Sequence, residues 1–319
     1  MPANTLAGKD CLTLFDYTTA EIRYLLDLAK QIKQKHQQKE IYQPLKGKVL
    51  GMIFEKASTR TRVSFEAGIY QLGGTGLFLS SKDLQLGRGE PISDTAQVLS
   101  GYLDGIMIRT FHQKEVEELA EYASIPVING LTDDYHPCQV LADLLTIEEV
   151  KGKLSGLTLT YIGDGNNMAH SLMVGAVKMG MHFKTAAPAG YLPKPAIVEQ
   201  AEKIAEANGV TITITTDPNE AVSGADVVYT DVWASMGQES EQKERLLKFS
   251  SYQVNEALMT GAAEDYLFLH CLPAHRGEEV TSEIIDGNHS VIFQEAENRL
   301  HAQKALMVAL MSNEDSFVF

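Results

Sequence analysis

Short apolar runs alternate with amphipathic stretches along almost the whole chain, and this alternation limits the fold more than any other feature. In the first half the strand-like runs are Val49–Phe54, Thr75–Leu79, Gly105–Ile108 and Ile125–Val127. In the second half they are Leu157–Ile162, His182–Ala187, Thr211–Thr215, Ala225–Tyr229 and Tyr266–Leu269. Between them Thr19–Lys35, Arg62–Leu72, Val116–Tyr122, His170–Met179 and Pro195–Asn208 read as helices. Strand following helix following strand predicts a parallel sheet with helices on both faces. A chain of 319 residues exceeds what one hydrophobic core organises. The expected fold is therefore α/β, with two doubly wound parallel-sheet domains joined by interdomain helices. His136–Val150 reads as one long helix, and the turn-rich stretch from Lys151 to Gly156 follows it. The domains are placed at residues 1–150 and 151–294. The last helix, Glu295–Met311, within a C-terminal segment of about 295–319, is expected to pack back on the first domain.

The formal net charge is −15, which repels nucleic acid and acidic lipid, so neither is an expected partner. It repels an anionic substrate too, so any anion site has to be a local cluster of cations and backbone N–H groups. No apolar run approaches the roughly 20 residues that span a bilayer, and Met1 to Lys9 shows no signal-peptide pattern. Three cysteines, Cys11, Cys138 and Cys271, build no disulfide framework and no C-x-x-C pair. A cytoplasmic setting without a structural metal is the expectation.

Doubly wound sheets bind ligands beyond the carboxyl ends of their strands, so the residues after each strand carry the functional reading. Val49–Phe54 is followed by Ser58-Thr59-Arg60-Thr61-Arg62 and then a helical pattern. A helix N-terminus presents N–H groups and the positive end of its dipole. Capping needs one hydroxyl residue, whereas here three hydroxyls and two arginines fall in five positions, the composition of a phosphate site. Gln85 lies in the loop after Thr75–Leu79, and Arg109 follows Gly105–Ile108 as a second phosphate clamp or a plain surface charge. His136 precedes a helix opened by Pro137 and is read as a donor at the cleft rim, with Gln139 one turn on.

The second half is different. Gly163-Asp164-Gly165-Asn166-Asn167 begins like a dinucleotide fingerprint, but Met168 stands where a small residue belongs, and no acid follows the next strand. That disfavours an NAD-dependent oxidoreductase and leaves Asn167 as a hydrogen-bonding group for a polar substrate. Asp231 follows a strand and can pair with an amine, whereas Trp233 is read as packing. Cys271, in His270-Cys271-Leu272-Pro273, is open as a nucleophile, an amine contact or a small buried hydrophobe. The first half thus suits a phosphorylated anionic donor and the second an amine acceptor.

Ser58-Thr59-Arg60-Thr61-Arg62, His136-Pro137-Cys138-Gln139 and His270-Cys271-Leu272-Pro273, in this order, resemble the carbamoyltransferases. Asp231-Val232-Trp233-Ala234-Ser235-Met236-Gly237 is similar to the Ser-Met-Gly loop of the ornithine-specific branch. Phe54-Glu55-Lys56-Ala57 and Glu295-Ala296-Glu297-Asn298-Arg299 fit the same branch. The resemblance covers nearly the whole chain. It implies a reaction of carbamoyl phosphate with L-ornithine to give L-citrulline, without metal or organic cofactor, and a place in arginine biosynthesis. It also implies a homotrimer with active sites at subunit interfaces. By the same resemblance Ser58, Thr59, Arg60 and Thr61 hold the phosphate. Arg109, His136 and Gln139 contact carbamoyl phosphate, Arg299 completes that site, and Gln85 reaches a neighbouring subunit. Asn167, Asp231, Ser235 and Met236 hold ornithine, and Cys271 and Leu272 lie by the reacting centre. The catalytic set is Arg60, Arg109, His136, Asp231 and Cys271, with Cys271 a substrate contact and not a covalent nucleophile. The rivals are a sister enzyme using aspartate, putrescine or an acylated ornithine, and a non-catalytic binding module.

Overall fold

The computed structural model describes residues 6–82, 84, 89–235 and 237–312. Gln85 and Met236 lie outside the described residues. Two compact units make up the chain. The first comprises Met1–Leu145 with Asn298–Phe319, and the second Thr146–Glu297.

The first unit contains α1 (Thr19–Gln37), β1 (Val49–Phe54), α2 (Thr59–Gln71), β2 (Thr75–Ser80), α3 (Ile92–Ser100), β3 (Gly105–Arg109), α4 (Gln113–Tyr122) and β4 (Val127–Leu131). Its four strands are all parallel, in the order β2-β1-β3-β4. Local chemistry sets the helix starts. Thr18 and Glu21 form a capping box at α1, with Thr18 N–H donating to Glu21 Oε2 at 2.7 Å and Glu21 N–H to Thr18 Oγ1 at 3.2 Å. The core on one face of the sheet joins Ile53, Ile106, Ile108, Val116, Leu119 and Val127.

The fourth strand corrects the sequence reading. It begins at Val127 and not Ile125, and runs on to Leu131 through Asn129-Gly130, residues beyond the end of the strand as read from the sequence. Pro126 has no N–H to give the ladder, and Asn129 is instead bound by its own N–H to Cys11 O at 2.8 Å. Gly130 packs closely here: a Cβ would fall 2.5 Å from Met107 Sδ, so the methionine side chain would have to move.

After α5 (Pro137–Lys151), the second unit contains β5 (Thr158–Ile162), α6 (Asn167–Lys178), β6 (His182–Ala186), α7 (Pro195–Asn208), β7 (Ile212–Thr215), α8 (Pro218–Val222) and β8 (Val227–Thr230). Then come α9 (Gln242–Phe249), α10 (Glu256–Met259), β9 (Leu267–Leu269), α11 (Ser282–Ile285) and α12 (Ile292–Met311). Five parallel strands run in the order β7-β6-β5-β8-β9. Proline at the start of α7 and Gly209 at its end, φ +68°, set that helix's limits. Phe249 anchors the core, stacked on Trp233 with ring centroids 5.9 Å apart and edge-on to Tyr191 at 5.0 Å. Both chain divisions fall inside helices, within α5 and within α12. The C-terminal part of α12 belongs to the first unit, where Gly68 of α2 leaves room for Met307 and Lys304. No helix among the described residues is long and apolar enough to cross a membrane.

Candidate functional site

Each sheet has one place where the strand order reverses, and there the loops diverge and open a crevice. In the first unit that place lies between β1 and β3, in the second between β5 and β8.

At the first switch point, Ser58 caps α2. Its Oγ accepts the Thr61 N–H at 3.1 Å and its hydroxyl faces Thr61 Oγ1 at 3.1 Å. The cap occupies only that N–H, and no acidic side chain stands in the first turn to meet the positive end of the helix. Capping and anion binding are therefore compatible. Thr59 is exposed, Ser58 and Arg60 are half-buried, and Thr61 is buried. Arg62 departs from the sequence reading. It lies over the Phe78 ring at 3.8 Å and reaches Glu66 at 3.4 Å, a surface pairing one turn into the helix.

Arg109 is the last residue of β3 and is buried. Its carbonyl receives the Glu55 N–H at 2.9 Å, which ties the chain after β1 to the same edge. Arg299, on α12, is 4% exposed. Its Nη1 donates to Gln139 Oε1 at 2.5 Å and its Nη2 to Thr61 Oγ1 at 3.3 Å, while Gln139 Nε2 donates to Asp143 Oδ1 at 2.8 Å. His136 sits deeper than a rim donor. It is buried, and burial together with Arg299, Arg109 and Arg60 holds its pKa well below the usual imidazole value. A neutral imidazole surrounded by guanidinium groups results. Gln303 was not foreseen: with its amide oxygen turned to Arg299 it accepts from Nη2 and Nε at 2.9 and 3.1 Å.

At the second switch point Asn166, the residue before Asn167, starts the helix and reaches the acid. Asn166 caps α6, its Oδ1 accepting from Met168 N–H at 2.9 Å, and its Nδ2 donates to Asp231 Oδ2 at 3.4 Å. Asn167 is the first helical residue and is buried. Asp231 Oδ1 accepts from the Val232 N–H at 2.8 Å and from the Cys271 thiol at 3.1 Å. Acid, amide and thiol thus converge, with Cys271 half-buried and not the fully buried hydrophobe that was one reading. Ser235 closes a turn, its N–H donating to Gln238 Oε1 at 2.9 Å. Leu272 takes a left-handed conformation, φ +56°, and its N–H donates to His270 Nδ1 at 2.9 Å. The next bond, Leu272–Pro273, is cis.

The Gly-Asp-Gly turn has a packing explanation. Gly165 N–H donates to Tyr191 O at 2.7 Å, and a Cβ on Gly165 would come within 2.3 Å of Pro193 N and 2.6 Å of Tyr191 O. The glycine admits a neighbouring loop where a dinucleotide fold would admit a pyrophosphate. Asp164 between the glycines accepts from Arg245 Nη1 at 2.7 Å, and the same Nη1 reaches Trp233 O at 3.0 Å. Arg245 thereby ties the Asp231–Ser235 segment to the turn. Nothing in the sequence singled it out, because an arginine in a polar helix looks solvated.

Fold and side chains define a two-unit parallel α/β protein with an anion-suited cluster in one unit and an amine-suited cluster in the other. The carbamoyl-P binding domain of aspartate/ornithine carbamoyltransferase matches residues 9–149, and the Asp/Orn binding domain of the same family matches residues 155–310. An ornithine carbamoyltransferase of Oceanobacillus iheyensis is 67% identical over 97% of this chain and 96% of its own length. The solved ornithine carbamoyltransferase from Pyrococcus furiosus superposes with a TM-score of 0.93 at 53% identity, covering 96% of this chain and 98% of that one. The anabolic ornithine carbamoyltransferase from Campylobacter jejuni has a TM-score of 0.88 at 44% identity, covering 94% and 97%. The chain belongs to the aspartate/ornithine carbamoyltransferase family.

Proposed function

We propose that this chain transfers the carbamoyl group of carbamoyl phosphate to the side-chain amine of L-ornithine, giving L-citrulline and phosphate. The observation that carries this reading is the opposed chemistry of the two switch points. Guanidinium groups and a neutral imidazole stand at one, and a carboxylate with an amide and a thiol at the other. The carbamoyl-P and Asp/Orn binding domains follow one another along the chain in the same order and support it, although the second match also runs over residues 298–310 of the first unit.

In this reading residues 1–150, with the C-terminal helix of about 295–319, hold carbamoyl phosphate. Ser58, Thr59, Arg60 and Thr61 take the phosphate; Arg109, His136, Gln139 and Arg299 take the rest of the donor. Gln85 comes from a neighbouring subunit of a homotrimer. Residues 151–294 hold ornithine through Asn167, Asp231, Ser235 and Met236, and Cys271 and Leu272 lie by the reacting carbon.

The attacking nitrogen has a lysine-like pKa of about 10.4 and must be neutral to react. Desolvation favours that form, and Asp231 and Cys271 orient it. Attack on the carbonyl carbon gives a tetrahedral oxyanion. Arg109, Thr61 and His136 stabilise it, preorganised donors of this kind being worth roughly 3–4 kcal/mol each. His136 is suited to this because it donates an N–H while carrying no charge of its own. As the bond to phosphate breaks, Arg60 and the N-terminus of α2 receive the charge that grows on the leaving group.

A citrulline assay offering ornithine, putrescine, aspartate and N-acetylornithine in parallel tests the reading. Turnover with ornithine alone is expected, and preference for any of the other three overturns it. The same reading makes the protein a cytoplasmic homotrimer in arginine biosynthesis. Light scattering at the mass of three chains, and rescue of an arginine auxotroph, are the corresponding checks.

A further inference from the structure

His275, Glu278 and Glu279 stand in the tight turn that follows Pro273, and one ligand atom from each lies within 4.8 Å of the other two. His275 Nδ1 is 3.6 Å from Glu278 Oε2 and 3.9 Å from Glu279 Oε2. Ligand atoms about 2.1 Å from one tetrahedral Zn²⁺ are about 3.4 Å apart, and both distances from His275 Nδ1 are within about half an ångström of that spacing. Backbone bonds hold the turn: Gly277 N–H to Val280 O at 2.8 Å and Glu278 N–H to His275 O at 2.9 Å. Arg276, the one cation in the turn, is committed elsewhere, to Asp286 at 2.6 and 2.8 Å.

The second observation concerns Glu279, whose side chain is 0% exposed. Its Oε1 takes two donors, His270 Nε2 at 3.1 Å and the His275 N–H at 2.6 Å. Its Oε2 is buried and has no hydrogen-bond partner among the described residues, and it faces the His275 ring nitrogen. A buried carboxylate oxygen left without a donor is unfavourable, and a cation is the partner that three converging ligands can bring to it. His275 and Glu278, at 47% and 34% exposed, open the group to solvent and leave coordination positions for water.

We propose that His275, Glu278 and Glu279 form a divalent-cation site of the zinc class. One imidazole and two carboxylates suit Zn²⁺ better than the all-oxygen sites of Mg²⁺ or Ca²⁺. The ion would sit one contact from the reaction loop. Glu279 holds His270 through Nε2, and His270 Nδ1 holds the Leu272 N–H, so Glu279 links the ion to the segment that carries Cys271. A rival cluster of Asp231, His270 and Cys271 exists, but both His270 ring nitrogens are already engaged there.

Co²⁺ titration of the chelator-treated full chain tests the proposal. One equivalent per chain is expected, with visible bands of an oxygen/nitrogen site and no thiolate-to-cobalt charge-transfer band. His275→Ala and Glu278→Gln change exposed side chains; each should keep the metal-free melting temperature and weaken binding by roughly 100-fold or more. Cys271→Ser should bind as the parent does. Absence of binding, a thiolate charge-transfer band, loss of binding in Cys271→Ser, or unchanged affinity in His275→Ala and Glu278→Gln each overturns it.

Discussion

Replacing Arg299 with methionine removes a guanidinium while keeping an unbranched side chain in a buried position on α12. Two effects are expected, and they can be measured apart. The bond to Gln139 at 2.5 Å is short and charge-assisted, worth about 1.5–3 kcal/mol, and the 3.3 Å contact to Thr61 adds about 0.5 kcal/mol. The fold should therefore lose about 2–3.5 kcal/mol. Ser58 still caps α2, so the helix that presents Arg60 stays formed. Activity should fall further than stability, because one preorganised donor to a developing charge is worth about 2.7–4 kcal/mol, or about 10²–10³ in turnover. Steady-state citrulline formation at varied carbamoyl phosphate, read beside urea denaturation, separates the two. A folded Arg299→Met protein whose kcat/KM for carbamoyl phosphate drops less than about tenfold, ~1.4 kcal/mol, refutes the role given to Arg299.

His136 gives a pH signature. Its folded pKa lies well below that of the unfolded chain, so between the two values the unfolded chain binds the extra proton. Stability is then constant above about pH 6.5 and falls below it, by up to about 1.4 kcal/mol per pH unit. His136→Gln should lose that slope in denaturation measured from about pH 7.5 to about pH 5.5, and an unchanged slope would count against burial of the neutral ring. Arg245→Met leaves Asp164 buried without its cation and should cost about 3–5 kcal/mol. Burial already raises the Asp164 pKa against the pull of Arg245, so the loss should deepen as pH rises and the carboxyl ionises; equal loss at acid and neutral pH contradicts this. Gly165→Ala drives a Cβ into the backbone of residues 191–193 and should destabilise by about 1–3 kcal/mol or more, read as a lower melting temperature. An unchanged melting temperature would show that the close approach is not needed.

What the sequence made legible depended on how directly a side chain reports its own environment. β1 and α7 lie where the pattern put them, because an apolar run and a Pro-to-Gly frame are local signals. By contrast α3 and α9 were not anticipated: at nine and eight residues each is short, and each fully buries only two of its residues. β4 read as ending at Val127 because Asn129 and Gly130 are poor strand formers and the packing of Gly130 against Met107 is a tertiary fact. The same divide runs through the candidate sites. Ser58, Arg60 and Asp231 stood out by type and place after a strand. Arg245, Gln303 and Glu279 did not, since Arg245 acts on residues remote in sequence, Gln303 on an arginine one helical turn away, and Glu279 through the burial of one atom. The neutrality of His136 was equally hidden, for it comes first from burial and then from three arginines scattered over residues 60 to 299.

The split of the first unit across the chain has a consequence for how the protein is made. Its anion cluster needs Arg299, and its packing needs Asn298, which accepts from Lys33 Nζ at 2.7 Å, and Met307 beside Gly68. Those residues leave the ribosome after the whole of residues 146–297. The unit synthesised first is therefore the unit completed last. A nascent chain can carry Ser58 to Gln139 for most of its synthesis and still lack the arginine that joins them.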